Sequence, residues 1–271
     1  MSPTKRWAID TILPELTLPR PLTVDALAQG FGRRAPLLLD LGVGTGEATR
    51  AWAASHPDHD VVAVELHRPG IAQLCTALDA LGPPNVRVLE ADAVAVLAEL
   101  SGRPSPHPNG PPERGERSAD GCEAGDAGAP QPPAATQAEP APVRFAAIRV
   151  LFPDPWPKAR HRRRRLVDPW FVAAAADVLV PGGCLHLATD WDDYADHMRE
   201  VLAGEPRLVP ELRPPGSTGN SPPIPASAPS PPAPGRAWRS DRPARPVTTY
   251  ERRGLDAGRT VTDLVVRRTG R

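Results

Sequence analysis

The chain has 271 residues, with 32 Lys and Arg against 32 Asp and Glu, so it carries no formal net charge and affinity for a polyanion has to come from a local patch. Its 37 prolines are far above the roughly 5% of ordinary usage, so much of the length is not core, although 40% hydrophobic residues suffice for one α/β core. Apolar runs all fall short of the ~18 residues of a membrane span and the first residues lack a signal-peptide stretch, which argues against a membrane association and for a cytoplasmic protein.

In chain order, residues 1–34 read as a partly disordered N-terminal lead to a single domain over 35–271. "LLLDL" (37–41) predicts a buried strand, and Gly42 to Gly46 turn it into a helix that runs to about His56. "VVAVEL" (61–66) is the second strand, followed by a helix with Pro69 in its first turn and Ile71, Leu74, Leu78 and Leu81 at helical spacing. "VRVLEA" (86–91) and "FAAIRVLF" (145–152) are the third and fourth strands. Asp168 as N-cap and Pro169 at the first position start a helix to about Leu179; "GCLHLAT" (183–189) and a C-terminal "TDLVVRR" complete the set of strands. Two Pro-rich insertions, at about 101–142 and 210–242, interrupt the domain; the segments 101–142 and 210–234 hold ten prolines each and hardly any large apolar residue, so both are expected to be disordered. Strands alternating with helices imply a doubly wound parallel sheet that binds ligands at the carboxyl ends of its strands.

Chemistry-bearing residues fall at those ends. Gly42, Gly44 and Gly46 follow the first strand, but neither G-x-G-x-x-G nor G-x-x-x-x-G-K is present, which weakens the dinucleotide reading and removes the P-loop reading. Asp40, Glu65 and Asp92 mark the ends of three successive strands. A diphosphate is repelled by such a ring of carboxylates, whereas a cationic sulfonium is favoured, so S-adenosylmethionine fits best. The fourth strand ends in "LFPDPWPKARHRRRR" (151–165), where Pro153 and Pro155 restrict Asp154 and six Lys and Arg follow between Lys158 and Arg165. That density exceeds what local acids can pair, so the run is expected to meet an external polyanion. Cys75, Cys122 and Cys184 show no C-x-x-C spacing, and His56 and His59 are read as surface residues near a helix end, so no metal site is expected.

"DLGVGTG", "VELHRPG", "ADAV", "FPDPWPKARHRRRRLV", "ATDW" and "RPVTTYERRG" occur in an order that resembles the bacterial tRNA (guanine-N7-)-methyltransferases, over residues 31–100, 143–205 and 243–268. The resemblance implies a mostly parallel seven-stranded sheet of the class I S-adenosylmethionine-dependent methyltransferase (Rossmann-like) type and methyl transfer to guanine N7 in the variable loop of tRNA. It implies cofactor contacts at Asp40, Gly42, Gly44, Gly46, Glu65, Asp92 and Asp154, with Asp154 as the catalytic residue. It sets Lys158, Asp190 and the run Thr248, Thr249, Tyr250 and Glu251 against the substrate, with Arg160, Arg162, Arg163, Arg164 and Arg165 on the RNA. Thr249 and Tyr250 stand where the family commonly has Lys and Phe. A monomer and a homodimer are equally compatible with the sequence.

Guanine N7 carries a lone pair and no proton, so its methylation is a matter of alignment rather than of base catalysis. Asp154 or Asp190 is placed to accept from N1–H and N2–H of the base and to stabilise the charge developing at N7. Trp156 and Trp191 are candidates to stack on an extruded base, Trp170 a candidate for the core. The alternatives are an RNA-binding protein on an inactive methyltransferase fold, or a methyltransferase for a non-RNA substrate in which the arginine run is a solvated face.

Overall fold

The computed structural model describes residues 1–106, 141–211 and 245–270. The apolar runs form the strands β1 (Leu37–Leu41), β2 (Asp60–Glu65), β3 (Val86–Glu90), β4 (Phe145–Leu151), β5 (Leu179–Thr189), β6 (Leu208–Pro210) and β7 (Thr262–Arg268). Across the sheet their order is β3-β2-β1-β4-β5-β7-β6. The first five strands are parallel and β7 runs antiparallel to both β5 and β6. This is the expected doubly wound, mostly parallel seven-stranded sheet of the class I methyltransferase type. Its strand order reverses between β1 and β4, which opens a crevice at their carboxyl ends.

The helices are α1 (Pro3–Trp7), α2 (Leu13–Leu16), α3 (Val24–Phe31), α4 (Glu47–Ser55), α5 (Arg68–Leu81), α6 (Ala93–Ser101), α7 (Pro169–Val178), α8 (Asp192–Ala203) and α9 (Thr249–Asp256). Side chains alternate between the two faces of a strand, so the sheet has two cores. Leu39, Leu41, Val62, Val64, Ile148 and Val150 pack with residues of α6, α7 and α8, while Leu38, Val61 and Ala63 pack with Ile71, Leu74 and Cys75 of α5. As expected, Asp168 caps α7 by accepting from the Phe171 N–H at 2.7 Å.

The lead over residues 1–34, expected to be partly disordered, is largely helical. α1, a π turn over Ala8–Ile12 and α2 run on from one another, and Ala8, Ile9, Ile12 and Leu13 bury one face in the second core. Pro3 stands in the first turn of α1, where a missing N–H costs nothing, and Pro14 follows the π turn within the same helical run. The Pro-rich insertions lie, apart from their edges, outside the described residues. Among the described residues no helix is long and apolar enough to cross a membrane.

Candidate active site

The carboxyl ends of β1 to β4 open into a cavity of about 420 Å3 whose walls include Gly42, Glu65, Asp92, Asp154, Trp156 and Arg164. A smaller cavity of about 170 Å3 shares Gly42, Leu151 and Phe152 with it and reaches Glu47, Thr248 and Tyr250. Gly42 and Gly44 have φ of 74° and 56°, and a Cβ at either would meet nothing within 4 Å, so bare backbone lines the cleft. Gly46 is needed for a different reason: a Cβ there would come within 2.3 Å of the Leu74 side chain.

Glu65 is held by neutral donors. Its Oε2 accepts from the Gly44 N–H at 2.7 Å and its Oε1 from the Leu66 and His67 N–H groups at 2.8 Å. Asp92 caps α6, accepting from the Val94 and Ala95 N–H groups at 2.9 and 3.0 Å. Both carboxylates are fixed in place by neutral donors, and neither has a cationic partner among the described residues. Among the described residues lining the larger cavity Arg164 carries the single positive charge, and its guanidinium lies 5.0 Å over the Trp156 ring. Bare backbone and carboxylates suit a cationic ligand with hydroxyl and amine donors, so these residues fit S-adenosylmethionine.

Asp40, expected as a cofactor contact, lines the smaller cavity and is also engaged within the fold. It is 3% exposed, and its carboxylate is taken by Thr49 Oγ1 at 2.7 Å and by both Arg149 Nε and Nη2, the former at 3.1 Å. Arg149 lies opposite Asp40 in the β1–β4 register and 4.2 Å over the Trp52 ring. Asp40 therefore ties the start of the glycine loop to β4 and α4 as half of a buried ion pair.

Beyond β4 the chain enters a strained loop. Phe152 and Trp156 have φ of 55° and 42°, values costly for bulky side chains, and the Phe152 N–H is anchored to the Ala188 carbonyl at 2.8 Å. Between them Asp154 is exposed and has no hydrogen-bond or ion-pair partner among the described residues. The basic run then splits. Lys158, Arg160, Arg163 and Arg164 are exposed, and Arg162, also exposed, pairs with Asp193 at 2.9 Å. Arg165 does not face outward as expected: its side chain is 2% exposed, bonded to Asp193 and to the Pro155 carbonyl, and lies 4.7 Å over the Tyr194 ring. An internal acid within reach thus turns the last arginine of the run into a brace for the Asp154 loop. Trp156 is covered by Arg164 and meets His161 edge-on at 5.9 Å, while Trp191 and Trp170 pack against the first core.

The C-terminal block reaches the same opening. Thr248 caps α9 through Glu251 N–H at 3.2 Å; Thr249 donates from its N–H and its hydroxyl to Glu47 at 2.7 and 2.6 Å. Tyr250 is 49% exposed with its ring 5.6 Å from that of Phe152. Burial, reinforced by the Asp190 and Asp154 charges, pushes its phenol up, so it stays protonated at neutral pH. Glu251, expected on the substrate, is fully buried and paired with Arg245, which also holds Asp263, itself bonded to His186 Nε2 at 2.7 Å. Asp190 is 7% exposed and accepts from Arg259 Nε at 2.8 Å.

His56 and His59 are buried rather than at the surface, and no group of three or more metal-ligating side chains occurs among the described residues. Burial pushes the Cys75 and Cys184 thiols up to about 11 and about 12, so neither is a nucleophile near neutral pH. Glu47, Arg149, Asp193, Arg245 and Arg259 were not legible as site residues. Glu47 alone carried a local signal, as the acid that follows the glycine loop.

A family model described as "Putative methyltransferase" matches residues 34–102 and 139–217. The chain is 36% identical over 263 residues to the tRNA (guanine-N(7)-)-methyltransferase of Alkalilimnicola ehrlichii, covering 96% of this chain and 85% of that one. It is also 36% identical over 274 residues to the protein of the same name from Aromatoleum aromaticum, covering 100% and 80%. The corresponding Nocardioides sp. protein is 37% identical over 244 residues, covering 90% and 72%. The solved 16S rRNA methyltransferase KamB overlays 92% of this chain at a TM-score of 0.48 and 16% identity, a likeness too loose to bear on activity.

Proposed function

The chain belongs to the tRNA (guanine-N(7)-)-methyltransferase family, and we propose that it methylates N7 of a guanine in the variable loop of tRNA, with Asp154 as the residue that governs the transfer. The observation that carries the assignment of Asp154 is its setting: an exposed carboxylate without a partner among the described residues, fixed on a strained loop, sharing one cavity with Glu65 and Asp92 and followed by exposed arginines. S-adenosylmethionine supplies, when bound, an electrophilic methyl group on a sulfonium.

Glu65, Asp92 and the backbone at Gly42 and Gly44 would hold that cofactor. Asp154 accepts from the N1–H and N2–H edge of the guanine, which orients the ring and raises electron density at N7. As N7 turns cationic the same carboxylate stabilises it, and no residue has to remove a proton there. Asp190, engaged by Arg259, is less free for this task and positions that guanidinium instead. Tyr250, the exposed aromatic at the opening, offers the face on which an extruded base stacks. Lys158, Arg160, Arg163 and Arg164 take phosphates, with Arg162 shared between RNA and Asp193. A tRNA substrate places the enzyme in the cytoplasm.

The test is incubation with methyl-labelled S-adenosylmethionine and tRNA lacking the modification, followed by nucleoside analysis. The label is expected in 7-methylguanosine; label in another nucleoside, or none in RNA, would overturn the reading.

A further inference from the structure

α9 carries residues that the proposed reading sets against tRNA, and it reaches the glycine loop through the Glu47 carboxylate. Glu47 is the first residue of α4, directly after Gly46, and Thr249 is the first residue of α9, 202 positions away. One carboxylate oxygen takes the Thr249 N–H at 2.7 Å, the other its hydroxyl at 2.6 Å. That N–H is among the donors a helix start leaves without an intrahelical partner, and the positive end of α9 favours the negative charge beside it. The Thr249 hydroxyl bond first, then its N–H bond and the charges of Arg50 and Arg252, hold the Glu47 carboxyl below its ordinary range, so the carboxylate form prevails at neutral pH.

The rest of α9 is held elsewhere. Glu251 is paired with Arg245, and Gly254 sits so close to Asp190 that a Cβ would fall 2.5 Å from its Oδ2. The Glu251 pair holds the buried side of the first turn and Gly254 the later part of the helix; the Glu47 contact ties the exposed side of that first turn to the glycine loop, and with it the exposed Tyr250 at the mouth of the smaller cavity. We propose that the Glu47–Thr249 clasp locks the first turn of α9 against the glycine loop, so that Glu47 is a positioning residue that sets where the bound guanine strand lies relative to the cofactor. The inference rests on the tRNA reading and gives Thr249 an intramolecular role in place of a direct phosphate contact.

The test combines titrations of unmodified tRNA with calorimetric titrations of S-adenosylhomocysteine, on wild type, Glu47→Ala, Thr249→Val and the double variant. Glu47→Ala removes both bonds and is expected to weaken tRNA binding about tenfold, on the scale of a lost hydrogen bond to a charged group. Thr249→Val keeps the N–H bond and is expected to lose about threefold, with Thr249→Ser recovering most of it. The double variant is expected to bind no more weakly than Glu47→Ala, because the two changes break one contact. S-adenosylhomocysteine affinity stays within about twofold throughout. Factors that multiply in the double variant would overturn the clasp, and so would a loss confined to S-adenosylhomocysteine, which would mean that Glu47 holds the cofactor itself. Thr249→Val, at an exposed position, decides the matter should Glu47→Ala fail to fold. An error in the underlying reading shows separately, as wild-type enzyme that yields no 7-methylguanosine.

Discussion

The two sides of the cleft hold their carboxylates by different means. On the side of β2 and β3, Glu65 and Asp92 are fixed by backbone N–H groups, which satisfy lone pairs but leave the negative charge standing. On the side of β5 and α9, Asp190, Asp193 and Glu251 are fixed by Arg259, by Arg162 and Arg165, and by Arg245, so their charge is cancelled where they sit. The first arrangement leaves a negative pocket for a cationic cofactor. The second leaves a neutral base for the exposed arginines to project from, toward a polyanion. Asp154 stands at the same opening with no hydrogen-bond or ion-pair partner among the described residues, where under the proposed reading one substrate meets the other. Under the proposed reading, a chain with no net charge attracts opposite ligands to one opening by holding some carboxylates with dipoles and others with cations.

Removing the group between the two sides should have the largest effect. Asp154→Ala is expected to lower kcat by about 10² or more, the scale of losing one preorganised electrostatic group, while both ligands still bind. Single-turnover kinetics at saturating ligands checks this, and a near-normal rate would remove Asp154 from the mechanism. Next comes the cofactor side. Glu65→Ala takes away a charge and leaves three N–H groups unpaired, and is expected to raise KM for S-adenosylmethionine about thirtyfold with tRNA affinity unchanged. A parallel loss of tRNA affinity would blur the division between the sides. The smallest effect per residue belongs to the exposed arginines. Replacing Arg160, Arg163 and Arg164 together by Ala should flatten the salt dependence of tRNA binding by roughly 0.7 to 0.9 in slope per lost phosphate contact. Arg165→Ala should leave that slope nearly intact and instead lower stability by about 2 kcal/mol, read as a shift in thermal midpoint.

The strands that build this opening were legible because their signals are local. Runs such as 37–41 and 61–66 are apolar enough for a sheet covered on both faces, and Asp168-Pro169 marks a helix start by residue type alone. Local signals also misled. High proline content pointed away from a core, yet Pro3 and Pro14 both lie in helix, and β6, three residues long, is too short to show a period. Site residues went astray where the deciding partner is distant in sequence. Asp40 shows its type but not the guanidinium 109 positions on that consumes it, Arg165 gives no hint of Asp193, 28 positions away, and Glu251 looks like its neighbours Thr249 and Tyr250 until the helix turns it inward to Arg245. Asp154, Glu65 and Asp92 do line one cavity, because a strand end and a turn, both local, are enough to aim them there.

Salt dependence, measured separately for the two ligands of the wild-type enzyme, tests the division most directly. From low to moderate salt, log kcat/KM for tRNA should fall steeply, with a slope of about −3 if three or four phosphates are neutralised, while KM for S-adenosylmethionine stays flat. A tRNA term indifferent to salt, or an S-adenosylmethionine term that follows it in parallel, would contradict the account.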